Sequence, residues 1–131
     1  MLRYLFTLAV ALHGLAHSLF MVNSWGFLKD AAGRALLFPK VVGVERSVEG
    51  FFALFWLLPV ISFAITAREF YHGHDSWRAW LLASATTSSI MLMAWWNGLN
   101  HPNAMLALLF NAAVVGLLMF QSRVPATTRA E

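Results

Sequence analysis

The sequence contains no cysteine. That excludes disulfides, thiolate metal sites and thiol chemistry, and it removes the usual clue to redox compartment. Charge is nearly as scarce. Asp, Glu, Lys and Arg make up 11% of the 131 residues, against about 25% in an ordinary soluble domain. There is no low-complexity tract and no internal repeat. There is also no basic stripe of the kind that holds nucleic acid, so nucleic acid is not an expected partner. The isoelectric point near 10.0 rests on nine Lys and Arg against six Asp and Glu. Basic flanks meeting anionic lipid account for it.

Apolar side chains fill the space that charge leaves. The chain is 60% hydrophobic with a mean hydropathy of +0.65. A small soluble fold leaves much of its surface in water and could not hide so much apolar area. The bilayer is the expected solvent, and one domain spanning residues 1–131 is the expected organisation. Residues 4–22 and 50–67 hold no Asp, Glu, Lys or Arg, and neither does the stretch from Ala79 to Ser122. The last stretch is too long for one span of about 20 residues and right for two. It breaks at "WNGLNHPNA", where Asn97, Gly98, Asn100 and Asn103 punctuate the chain and Pro102 suits a first helical turn. The expectation is an all-α, antiparallel four-helix transmembrane bundle, with helices at about 3–23, 47–68, 78–97 and 102–122.

The first run is too long for a signal-peptide core and no small-x-small site follows it, so it is expected to stay as a mature helix. Pro59 is expected to kink the second helix. The loop over residues 24–46 includes "RALLFPKVVGV", which suits an amphipathic segment at the interface. The tail "SRVPATTRAE" reads as frayed. Arg3, Arg68, Arg78, Arg123 and Arg129 fall on one side, and Lys29, Arg34, Lys40 and Arg46 on the other. That narrow majority favours cytoplasmic termini.

Polar groups inside spans carry the functional question, because they are costly there. "LHGLAHSLF" places His13 and His17 four apart, on one helix face. Gly14 and Ala16 between them permit a close neighbour. Two such imidazoles can chelate one metal, can handle protons, or can simply bond hydroxyls on a neighbouring helix. The glutamate of an HExxH motif is missing. Glu45 and Glu49 form a second i, i+4 pair where the second helix begins, where carboxylates favour the helix dipole and "RSVE" fits a capping box.

In an antiparallel bundle one level then holds His17, Glu49, Trp95, Trp96, Asn97, Asn100 and His101, with His13 and Asn111 one or two turns deeper. The ligand set His13, His17 and Glu49 would suit Zn, Mn or non-haem Fe. The same groups would serve acid/base chemistry, with His17 and Glu49 as the pair and Asn97 as orienter. Asn111, His101, Trp56 and Trp96 are the candidate ligand contacts. Haem b fits less well, because it takes axial ligands from opposing helices. "SATTSS", Ser84 to Ser89, suits close packing or a polar path, and Asn111 is a plausible partner for it or for His13. Ala112 and Gly116 read as a packing face, and "HGHD", His72 to Asp75, as a solvated turn.

The strings "LHGLAHSLFMVNSWG", "LFWLLPVISFAITA" and "WWNG", with Asn111 in the final helix, resemble uncharacterised small bacterial four-helix membrane proteins of loosely DoxX-like appearance. The resemblance covers most of the chain. It implies a four-span bundle in a bacterial inner membrane. The expected function is a membrane protein with a polar His/Glu/Asn pocket in one leaflet, binding a metal ion or a small polar or amphipathic ligand. Two other classes remain open: a non-catalytic accessory subunit of a larger membrane complex, and a homo-oligomeric transporter or channel component.

Overall fold

The computed structural model describes residues 1–25, 51–95 and 101–123. Among them are four α-helices and no strand: α1 (Leu2–Ser24), α2 (Leu57–His72), α3 (Trp77–Ala94) and α4 (His101–Arg123). The described residues form an all-α four-helix bundle. Three observed helices start and end within a few residues of their expected limits. The second departs more. Residues 51–53 are helical, a 3-10 turn follows at Leu54–Trp56, and α2 begins only at Leu57. Pro59 explains the change. It has no N–H for the carbonyl of Phe55, and its ring crowds that carbonyl. The chain answers by tightening the turn before the proline, so the expected kink takes the form of a switch in helix type.

Cross-helix contacts climb α1 while descending the second helix. Arg3 donates from Nε and Nη2 to the Phe70 carbonyl, both at 3.2 Å. The His13 and Phe63 rings meet edge-on at 4.9 Å, and Phe20 meets Trp56 at 4.9 Å. The α1–α2 seam is close because of one glycine. A Cβ on Gly14 would lie 2.5 Å from the Cβ of Phe63, so no larger residue fits without moving a helix.

Two buried apolar clusters fill the interior. One gathers Val10, Phe63, Ala67, Leu81, Ala85 and Val114 from all four helices. The other gathers Trp56, Met91, Leu92 and Ala104. The outside is apolar as well. Leu15 is 60% exposed, Leu106 68% and Phe120 69%, an arrangement that water would penalise and lipid would not. Among the described residues, three helical stretches are long and apolar enough to cross a membrane: Arg3–Val22, Phe51–His72 and Pro102–Phe120. Helix α3 falls short, because Arg78 and a run of hydroxyls weigh against its apolar residues. Ser84, Thr86, Thr87, Ser88 and Ser89 lower its hydropathy, and Ser84 and Ser88 are fully buried against other helices.

The face expected for packing at Ala112 and Gly116 does not serve that purpose within the described chain. Both residues are exposed, and a Cβ on Gly116 would meet nothing within 4 Å.

Candidate functional site

Five polar side chains from three helices join across the interior. His13 Nε2 lies 3.3 Å from Asn111 Oδ1. Asn111 Nδ2 donates to Ser88 Oγ at 2.8 Å and to Ser89 Oγ at 3.1 Å. Ser88 Oγ lies 2.9 Å from His17 Nε2. The chain therefore leaves α1 at His13, passes through α4 and α3, and returns to α1 at His17. Helical geometry makes this possible: the i, i+4 spacing of the two histidines turns both rings toward one side, where they lie edge-on at 5.1 Å. Both alternatives expected for Asn111 hold at once, since it bonds His13 and the serine stripe together.

The surroundings are aromatic. His13 stacks on Phe110 at 4.1 Å, and His17 stacks on Trp56 at 5.7 Å and Phe63 at 5.9 Å. Trp56 is 0% exposed, His17 1% and Asn111 2%. A second polar pair, Thr66 and Ser84, lies 3.1 Å apart between α2 and α3. The hydroxyls of Ser84 and Ser88 thus serve bonds between helices.

Two atoms stand out. Among the described residues, His17 Nδ1 and Trp56 Nε1 are buried without a hydrogen-bond partner. A buried polar group left unpaired costs about 1–3 kcal/mol, and most such groups are paired in native proteins.

The expected residues divide cleanly. His13, His17, Asn111 and Trp56 come together. Glu49, Asn97 and Trp96 lie outside the described residues, as does the side chain of His101. Among the described residues, no group of three or more His, Asp or Glu could hold a metal ion. The Nε2 atoms of His13 and His17 are engaged by Asn111 and Ser88. The metal expectation therefore finds no third ligand there.

No family model, no curated protein and no solved structure matches the chain. Its site is read from its own geometry.

Sequence reasoning missed a second polar assembly, centred on Glu69. One carboxylate oxygen pairs with Arg68 at 2.6 Å. The other accepts from Ser76 Oγ at 2.7 Å and lies 2.9 Å from His74 Nδ1. The exposed turn "HGHD" is therefore also tied to the helix before it. Gly73, at φ 77°, lets the chain reverse, and the His74 and Gly73 amides bond back to the Glu69 and Phe70 carbonyls at 3.0 and 3.1 Å. This is the Schellman pattern of helix ends. The available signal was Gly73 itself, which marks a helix stop and brings the next residues over the last turn.

Proposed function

We propose that the chain is a small integral membrane protein that binds a small polar or amphipathic ligand between its helices, at His17 and Trp56. One observation carries this reading: the unpartnered, fully buried nitrogens of those two side chains. They stand beside a polar chain whose other members are bonded. In a bundle with an apolar exterior, bulk water is a poor source of partners. A bound molecule is the partner that would repay keeping both groups.

The test is native mass spectrometry of the purified protein in a mild detergent, wild type against His17→Phe. The wild type should retain a small molecule in near-stoichiometric amount, and the variant should lose it. Release of the same lipids from both proteins, and nothing else, sinks the proposal.

The membrane setting belongs to the same proposal. It is supported by the three long apolar helices and the exposed leucines. We place α3 in the bilayer with them, shielded by its neighbours. The likeness to DoxX-like proteins, a bacterial inner membrane and cytoplasmic termini rest on the sequence strings and on the basic residues near one end, Arg3, Arg68 and Arg78. Reporter fusions at both termini check the orientation.

A second reading has its own support. The bonded run from His13 through Asn111 to Ser88 ties three helices together, as in an accessory subunit whose polar residues only pin packing. Serines used between helices favour that reading over a permeation path.

A further inference from the structure

Hydrogen-bond direction along the polar chain determines where His17 carries its proton. An amide oxygen only accepts, so His13 Nε2 donates to Asn111 Oδ1 at 3.3 Å. The two protons of Asn111 Nδ2 go to Ser88 Oγ and Ser89 Oγ, at 2.8 and 3.1 Å. Ser88 Oγ has accepted one proton and has its own to give. Its partner for that proton is His17 Nε2, at 2.9 Å. A ring nitrogen that accepts is unprotonated, so neutral His17 carries its proton on Nδ1. The unpartnered atom is then an N–H donor. Trp56 Nε1 can only donate, and it too is unpartnered. The two rings lie 5.7 Å apart and 18° from parallel. Two buried donors therefore stand in one aromatic stack, with no acceptor for either among the described residues.

We propose that His17 and Trp56 bind a neutral carbonyl oxygen carried on an apolar body. The proposal rests on the ligand-binding reading above and supplies its chemistry. Two donors select an acceptor. Besides each other, the His17 and Trp56 rings contact those of His13, Phe20, Phe63 and Trp95, and none of these brings a fixed positive charge. Among the described residues an anionic acceptor would find no cation beside these rings, and burying it so carries a large desolvation penalty. A neutral oxygen avoids that penalty. Met91, Leu92 and Ala104 pack with Trp56 in the same cluster, which suits a hydrocarbon body. The shared chemistry is met by a free ketone or by the ester carbonyl of a lipid.

The experiment uses the full chain in dodecyl maltoside, a detergent without a carbonyl. The indole N–H resonance of Trp56, assigned by its loss in Trp56→Phe, is followed while 2-tridecanone, tridecane or dodecanoate is added. Nitrogen-15 spectra of the wild type report which nitrogen of His17 is protonated. The expected result is a saturable shift with the ketone, no shift with the alkane, and at least tenfold weaker binding of the carboxylate. Trp56→Phe should weaken ketone binding about tenfold, read at His17, the size of one good hydrogen bond. Repeating the titration in nanodiscs of ester-linked and ether-linked phosphatidylcholine separates the sources: a Trp56 signal already shifted in the ester lipid alone identifies the lipid carbonyl as the acceptor.

A His17 proton on Nε2 overturns the proposal without needing any variant to fold. Equal shifts with ketone and alkane, or tighter binding of dodecanoate, overturn the carbonyl assignment while leaving ligand binding in place. A Trp56 cross-peak to water that the ketone does not displace overturns it in favour of a structural water. Silence toward every probe and both lipids overturns it together with the ligand-binding reading.

Discussion

The interior polar chain and the Glu69 turn both use histidine and serine and solve opposite problems. At the turn, Arg68 and His74 have side chains 66% and 55% exposed. Water competes for every bond, so each one adds little, and both oxygens of Glu69 are used. In the interior, water is excluded and each bond matters more. Yet that is where two donors are left over. Polarity at the turn closes a helix end. Polarity in the interior exceeds what packing needs, and that excess is why the interior, not the turn, is the candidate site.

The first way to break this comparison is to force the interior open. Gly14→Ala places a methyl 2.5 Å from the Cβ of Phe63. One of the two helices must shift. The expected destabilisation is about 3 kcal/mol, the upper range for overpacking, measured by unfolding in detergent. The turn should survive, since none of its contacts involves Gly14. Loss of His74 amide protection in hydrogen exchange along with the interior would show that the two regions fold as one unit.

Asn111→Leu comes next. It strips partners from His13, Ser88 and Ser89 together. The expected loss is about 2 kcal/mol, since unpaired buried groups cost about 1–3 kcal/mol. The double change His13→Phe with Asn111→Leu should recover part of that loss, because removing both partners leaves fewer orphans. A double variant no better than the single one would mean that His13 finds another partner.

Gly73→Ala tests the turn alone. A side chain at φ 77° costs about 1 kcal/mol, and the new Cβ would sit 3.0 Å from Arg3 Nη2. The expected result is a small drop in stability with an unchanged indole resonance for Trp56. Glu69→Gln should act in the same place, seen as faster exchange of the His74 amide. An altered Trp56 signal in either variant would end the idea that the regions are independent.

What could be read in advance follows the same division. Helix extents, the close approach at Gly14 and the Asn111 bridge follow from spacing along straight helices, where residues three or four apart share a face. The Glu69 assembly could not be read that way, because His74 and Ser76, five and seven residues on, reach it only after Gly73 reverses the chain. The stack of Trp56 on His17 depends on the depth at which two helices cross, which periodicity does not set. Glu49, Asn97 and Trp96 were placed by level alone, and they lie outside the described residues.

The smallest expected effect is the most discriminating for the outside of the bundle. A methyl at Gly116 meets nothing within 4 Å, and Ala112 one turn earlier is also exposed. If lipid alone covers this face, Gly116→Ala should change stability by less than about 0.5 kcal/mol, as surface substitutions usually do. Any small gain would come from the better helix propensity of alanine. The interior chain should not register it, so the Trp56 resonance stays in place. A clear loss of stability that grows on dilution would mean something different. It would show that a second copy approaches α4 as closely as α2 approaches α1 at Gly14, and that the bundle uses the same small-residue device twice.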